Sequence, residues 1–405
     1  MRRVVITGMG IYSCIGKNQN EVLCSLYEGK SGIGSDPLRK EMGFRSSLTG
    51  IIKSPDLKSH LYRKQRVTLP DVAAFAYLAT LEALMQARVD SDYLNKHTAG
   101  IMYGNDSTAE SVIQGVDIIR AKKDTTLVGS GSVFKSMNST VSMNLSVIFK
   151  LKGINMTISA ACASGSHAIG LGMMMIQQGC EDLIICGGAQ EVNPFGVGSF
   201  DGIGAFSTRE DEPQKASRPF DKSRDGLVPS GGAATIILES YENAVKRNAP
   251  ILGEVIGYGF SSNGEHISSP NIEGPRRSLE MALKQAGMSR NDIPYINAHA
   301  TSTWIGDSKE ARAIFGVFGD AKPYVTSTKA MTGHEMWMAG ASEIVYSLLM
   351  MQNEFIAPNI NFETPDEDSA LLNIPAKRVD TKLDAFLSNS FGFGGTNSSL
   401  IIKKV

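Results

Sequence analysis

The chain is expected to fold as an α/β layer protein made of two similar halves. Two observations carry this expectation. Short β-rich apolar runs alternate with longer stretches of helical period, and that alternation runs twice along the 405 residues. The segments ISAACASG (158–165) and TSTKAMTG (326–333) also look alike, each a strand entering a helix through small residues. The two series divide near residue 250, where KRNAP (246–250) makes a joint between a half spanning 1–250 and a half spanning 251–405.

In the first half, VVITG (4–8), GIMYG (100–104), INMTIS (154–159), DLIICGG (182–188) and ATIILES (234–240) read as strands bounded by Gly or polar residues. Between them DVAAFAYLATLEALMQA (71–87) places apolar residues at helical spacing among good helix formers. SHAIGLGMMMIQQG (166–179) reads as a second helix, stopped at Gly179. In the second half the strands are GEVIGYGF (253–260), PYINAHA (294–300), YVTSTK (324–329), AFLSNSF (385–391) and SSLIIKK (398–404). PRRSLEMALKQAG (275–287) and GASEIVYSLLMMQ (340–352) are the helices between them.

Composition narrows the function classes. With 42% hydrophobic and 20% charged residues the chain has the makeup of an ordinary soluble globular protein, not of a disordered one. A formal net charge of −1 offers nothing global to nucleic acid or to a membrane surface. The five cysteines show no CxxC spacing and no zinc-type cluster with histidine, so no metal is expected and a reducing compartment is. No stretch approaches the length of a membrane span, and glycines 8, 10 and 16 break the N-terminal apolar run short of a secretory leader. A cytoplasmic location follows.

Cys162 stands out. Between a strand and a helix, it lies in a tight connection where unpaired backbone N–H groups and the positive end of the helix dipole favour a thiolate and offer donors to an oxyanion. Its neighbours Ala161, Ala163, Ser164 and Gly165 leave room for a carbonyl to approach. Strand ends elsewhere carry His299 in NAHATST (297–303), followed by Thr301 and Thr303, and Lys329 and His334 in TSTKAMTGH (326–334). Ligands of α/β sheets collect beyond such ends. His60, His97 and His266 read as structural or surface residues, and His167, five residues past Cys162, as packing. In FGFGGTN (391–397) the glycines permit close approach while Phe391 and Phe393 flank an apolar ligand, as a mobile gate would.

Together, SAACASG, NAHATSTWIGD, STKAMTGH and SNSFGFGGTN strongly resemble the motifs of β-ketoacyl-acyl-carrier-protein synthases, the condensing enzymes of fatty acid synthesis. MRRVVITGMG, SRPFDKSRDGLVPSGGAA (217–234) and APNINFETPDE (357–367) extend the likeness over nearly the whole chain, closest to the elongating synthases I and II, and more to I. The resemblance implies a thiolase-like duplicated five-layer αβαβα fold, as a homodimer or paired with a related subunit. It implies that Cys162 takes the acyl group as a thioester, and that His299 and His334 promote decarboxylation of malonyl-carrier protein, with Lys329 supporting them. It also implies an oxyanion hole from the backbone N–H groups of Cys162 and Phe393, and Glu310 ordering the network from behind. Thr301 and Thr303 would bind the phosphopantetheine arm. No cofactor beyond that carrier-borne arm is implied.

The chain departs from the family pattern at three places, one of them HATST (299–303) where the family reads HGTST. GHEMWMAG (333–340) replaces GHxxGAAG, putting Trp337 where a small residue is expected, and GNDSTAE (104–110), with Ser107, has fewer glycines near the end of the acyl pocket. Both keep open a second reading, a ketosynthase dedicated to a polyene or other specialised acyl product. Acyl carrier proteins are acidic, and Arg63, Lys64 and Arg66 of YRKQR (62–66) are the expected docking charges, with RAKK (120–123) a second basic run. A silent partner subunit would lack the cysteine, and a thiolase would carry a second catalytic cysteine later in the chain, where none follows Cys186.

Overall fold

A computed structural model describes residues 1–405. Ten strands form one continuous sheet: β1 (Val4–Tyr12), β2 (Gly100–Gly104), β3 (Asn155–Ile158), β4 (Leu183–Gln190), β5 (Gly232–Ser240), β6 (Gly253–Ser262), β7 (Tyr295–Asn297), β8 (Tyr324–Thr326), β9 (Ala385–Gly392) and β10 (Thr396–Lys403). Their order is β8-β7-β9-β10-β6-β1-β5-β4-β2-β3. Every strand expected from the sequence is present.

Each half of this sheet repeats the other. From β1 outward the first half runs antiparallel to β5, antiparallel to β4, then parallel to β2 and β3. From β6 outward the second runs antiparallel to β10, antiparallel to β9, then parallel to β7 and β8. The halves meet in the sheet only through Val5 opposite Glu254 and Ile6 opposite Gly253.

The helices α1 (Asp71–Gln86), α2 (Glu110–Lys122), α3 (Thr140–Phe149), α4 (Ser164–Gln177), α5 (Glu273–Ala286), α6 (Trp304–Phe318) and α7 (Ala339–Gln352) cover the sheet. Period-two alternation decides which face each strand residue serves. In β4, Ile184 and Cys186 enter a central core with Ile169 and Met173 of α4 and Ile344 and Leu348 of α7. Leu183 and Ile185 turn the other way, against Val72, Phe75 and Ala79 of α1. In the second half Phe386, Leu400 and Ile402 join the same central core, while Leu387 and Ile401 pack against Leu279 of α5 and Ile314 of α6. The layers are therefore α1/α3, first half-sheet, α4/α7, second half-sheet, α5/α6: five in all. Helix α7 is buried almost throughout, as expected of the middle layer. The glycines of VVITGMG let α1 lie directly on β1: a Cβ on Gly10 would come within 2.0 Å of the Ala79 carbonyl oxygen. No helix is long and apolar enough to cross a membrane.

Candidate active site

The strand ends of both halves meet at one cavity of about 440 Å³ lined by Cys162, His299, His334, Thr301, Thr303, Glu310, Phe391 and Phe393 among others. Four of the sequence motifs converge there.

Cys162 follows β3 in a turn closed by Ser164, whose Oγ accepts from the Ala160 N–H at 2.9 Å and donates to the Ala161 carbonyl at 2.6 Å. Ala161 sits at φ 46°, a left-handed conformation costly for a residue with a Cβ, of order 1–3 kcal/mol. The turn throws the thiol toward the second half and leaves the Cys162 amide without a backbone carbonyl partner. Helix α4 begins two residues later. A thiolate favoured by that helix end was the expectation, and here the structure differs. The side chain is buried, and burial pushes the thiol up to about 12 against the downward pull of the Lys329 charge, so the resting group is a neutral thiol.

His334 supplies the proton acceptor that such a thiol needs. Its Nε2 lies 3.0 Å from Cys162 Sγ. The backbone around it is bridged to the segment 228–230, with the His334 N–H donating to the Val228 carbonyl at 2.7 Å and the Ser230 N–H to the His334 carbonyl at 2.8 Å. His299 extends from the end of β7, its N–H donating to Glu310 Oε1 at 2.8 Å. The two imidazoles stand edge to face with centroids 5.3 Å apart. Burial, together with the Lys329 charge, holds both well below the ordinary histidine range, so both are neutral.

Lys329 opens a short helical turn after β8 and pairs with Glu343 of α7, both fully enclosed. Burial raises the Glu343 carboxyl to about 7 while the ammonium beside it pulls the other way. Glu310, raised by burial to about 7, also accepts from Asn389 Nδ2 at 3.1 Å. Thr301 and Thr303 flank Ser302, itself at φ 70°, and their backbone N–H groups both donate to Asp307 Oδ1, at 3.0 and 3.2 Å. Phe391 is the last residue but one of β9, and Phe393 sits in the tight turn to β10, its ring stacked on Phe200 with centroids 5.9 Å apart. The Gly394 N–H donates to the Ile267 carbonyl at 2.6 Å, tying that turn to the loop at the cavity mouth.

Several residues needed for this arrangement were not read from the sequence: Glu343, Asp307, Asn389 and Phe200. A lone carboxylate inside the apolar run GASEIVYSLLMMQ was the available signal for Glu343. His266 is exposed yet lines the mouth, accepting from the Ser268 and Ser269 N–H groups at 3.1 and 3.0 Å. His167 is half-buried between Tyr258 and Thr396, hydrogen-bonded to both hydroxyls. Ser107 does not line the cavity; its Oγ accepts from Trp337 Nε1 at 3.3 Å. Arg63 and Lys64 are exposed and Arg66 half-buried, and none of the three lines the cavity.

A buried thiol against a neutral imidazole, with a second imidazole and a free backbone N–H nearby, is equipped for acyl transfer and for stabilising an oxyanion. Comparison with known proteins agrees. Residues 1–244 match the family model described as "Beta-ketoacyl synthase, N-terminal domain", and residues 252–363 match its C-terminal counterpart. The chain is 42% identical over 407 residues to "3-oxoacyl-[acyl-carrier-protein] synthase 1" of Haemophilus influenzae, covering 100% of this chain and 99% of that protein. The crystal structure of a β-ketoacyl synthase from Burkholderia phymatum superposes with a TM-score of 0.94 at 34% identity, covering 100% of both chains. A type II polyketide acyl-carrier protein in complex with its ketosynthase, AntDE:AntF, gives 0.88 at 30% identity, covering 100% of this chain and 99% of that one. By sequence over its full length and by fold, the chain belongs to the β-ketoacyl synthase family.

Proposed function

We propose that the protein is a 3-oxoacyl-[acyl-carrier-protein] synthase that extends acyl chains by decarboxylative Claisen condensation in fatty acid elongation. The observation that carries this reading is the 3.0 Å approach of His334 Nε2 to Cys162 Sγ beside a second neutral histidine. Cys162 Sγ attacks the thioester carbonyl of an acyl-carrier protein. Its proton passes to His334 Nε2 and then to the departing phosphopantetheine thiolate, leaving the acyl group on Cys162. Malonyl-carrier protein then enters and its carboxylate leaves as CO₂. The enolate oxygen that forms is held by the N–H donors of His299 and of His334, whose single ring proton moves from Nδ1 to Nε2 once Cys162 is acylated, and its carbon attacks the acyl thioester. The resulting oxyanion is held by the backbone N–H groups of Cys162 and Phe393, and collapse releases the Cys162 thiolate and the 3-oxoacyl product. Neutral imidazoles suit this work: they donate without an ion to desolvate, and each such donor is worth on the order of 10²–10³ in rate.

Lys329, paired with Glu343, adds its charge to the burial that keeps the histidines neutral. Glu310 and Asp307 hold the backbone of the segment from His299 to Thr303, and Thr301 and Thr303 meet the phosphopantetheine arm. Arg63, Lys64 and Arg66 receive the acidic carrier protein, and the half boundary lies near residue 250. The working assembly is a cytoplasmic homodimer. Support comes from strand β3, which ends the sheet with its outer edge unpaired and Met156 48% exposed, and from the exposed Val112, Val116 and Ile119 of α2. Trp337 beside the site favours a second reading, a ketosynthase of a specialised polyene or polyketide-like pathway working with a related subunit.

Intact-protein mass spectrometry tests the main reading. Incubation with acyl-carrier proteins adds the acyl mass at Cys162, and malonyl-carrier protein then discharges it as a 3-oxoacyl product. A folded protein that takes up no acyl group from any carrier overturns the reading.

A further inference from the structure

The arm that delivers an acyl group and the acyl group itself cannot occupy the same space at Cys162. The cavity reaching Cys162 opens at a mouth formed by Ile267, Trp304 and Phe393, and an incoming phosphopantetheine fills it. An acyl chain on Sγ must therefore extend the other way, into the protein. On that side Cys162 packs in an apolar cluster with Val197, Phe206, Leu227, Met336 and Trp337. Of these, only Leu227 also faces the cavity.

Trp337 is the bulkiest member of the cluster. It is 7% exposed, and its Nε1–H donates to Ser107 Oγ at 3.3 Å, which ties the indole to the segment 104–110. The backbone cannot retreat. The Trp337 carbonyl oxygen sits 2.7 Å from where a Cβ on Gly188 of β4 would stand, and 3.1 Å from the equivalent position on Gly165 of α4. Met336, immediately before it, is held at φ 46°. A close-packed interior offers a displaced indole nowhere to go and leaves its N–H without an acceptor.

We propose that Trp337, fixed by Ser107, is a specificity-determining residue that closes the acyl-binding space a short way past Cys162 and restricts the enzyme to short acyl thioesters. This rests on the condensing activity proposed above.

The test is the rate of Cys162 loading from acetyl-, butyryl- and dodecanoyl-carrier proteins, read by intact mass, for the wild type, Trp337→Ala and Ser107→Ala. The wild type loads butyryl about 10²-fold faster than dodecanoyl. Trp337→Ala raises the dodecanoyl-to-butyryl ratio about tenfold or more, and Ser107→Ala raises it by less, since only a hydrogen bond is lost. A wild type that loads dodecanoyl as fast as butyryl overturns the proposal, as does an unmoved ratio in a folded Trp337→Ala. Should that variant fail to fold, the wild-type profile and Ser107→Ala decide. Absence of loading from every carrier, together with no CO₂ release from malonyl-carrier protein, overturns the condensing reading itself and this inference with it.

Discussion

The Lys329 ammonium and the Glu343 carboxylate close on each other inside the protein, each 1% exposed, beneath the two imidazoles of the site. A pair of that kind fixes a charge where none could stand alone. Its two members are not equivalent when broken.

Glu343→Leu strands an ammonium in the interior and is expected to destabilise by about 3–5 kcal/mol. Lys329→Met leaves a carboxyl that burial already raises to about 7, which can protonate instead, so its cost is smaller. The double variant Lys329→Met/Glu343→Leu regains most of the loss. Urea midpoints of the four proteins check this; equal midpoints for the two single variants contradict it.

Burial, with the charge of Lys329 added to it, sets the pH range of the histidines. Because both are held well below the ordinary value, they stay neutral as pH falls, and the acid limb of malonyl-carrier decarboxylation lies below the ordinary histidine range. Removing the cation in Lys329→Met lets an imidazolium form more readily, while burial still opposes it, so the limb moves upward. A limb that stays put, or moves to lower pH, is inconsistent with this role.

His334→Ala removes the acceptor of the Cys162 proton and one donor to the enolate. Single-turnover condensation is expected to fall on the order of 10²–10³-fold, while the urea midpoint changes little. Stopped-flow or quenched-flow product formation gives the comparison.

Stability should fall as pH rises through the neutral range. Glu335 is raised by burial to about 8 and Glu310 to about 7, so the folded state holds protons that the unfolded chain has released. Groups raised in the folded state contribute fully below their unfolded value, about 4.5, and lose that contribution as pH climbs through 7 and 8. Above the ordinary histidine value, where the depressed histidines no longer oppose the trend, the urea midpoint at pH ~7 therefore exceeds that at pH ~8.5. Glu335→Gln, which cannot ionise, flattens the slope.

Asp307 gathers the Thr301 and Thr303 N–H groups on one oxygen and the Phe220 N–H, at 2.8 Å, on the other. Asp307→Ala frees the loop that presents both hydroxyls to the incoming arm. The expected signature is a KM for carrier thioester raised about tenfold with a smaller change in kcat, because the chemistry happens elsewhere.

The fold was readable because its strands are apolar and its helices periodic; even the repeat announced itself in the likeness of 158–165 to 326–333. That likeness has a physical counterpart, since Cys162 follows β3 and Lys329 follows β8 in matching places of the two halves. Cys162, His299, Lys329 and His334 were legible because they stand at strand ends, where a sheet presents its ligands. Glu343 and Asp307 were not, because each acts from inside a helix on a neighbouring loop or turn, Asp307 on the Thr301 and Thr303 N–H groups and Glu343 on Lys329, and a carboxylate in a helix carries no sign of the group it meets. The state of the Cys162 thiol escaped as well: helix polarity can be read from a sequence, whereas the depth of burial that outweighs it depends on elements that arrive from the other half. The meeting of Trp337 with Ser107 joins two irregularities 230 residues apart, and only folding brings them into contact.

Two residue pairs, Val5 with Glu254 and Ile6 with Gly253, are all that join the half-sheets strand to strand, and the rest of the alignment rests on the packing of α4 and α7 and on loop contacts such as the His334 backbone bonds to Val228 and Ser230. The nucleophile belongs to one half and its proton acceptor to the other. Catalysis thus works as a vernier on the joint: a slip of an ångström between halves leaves every strand intact yet parts Sγ from Nε2. On warming, turnover should fade before circular dichroism registers any loss of helix or strand.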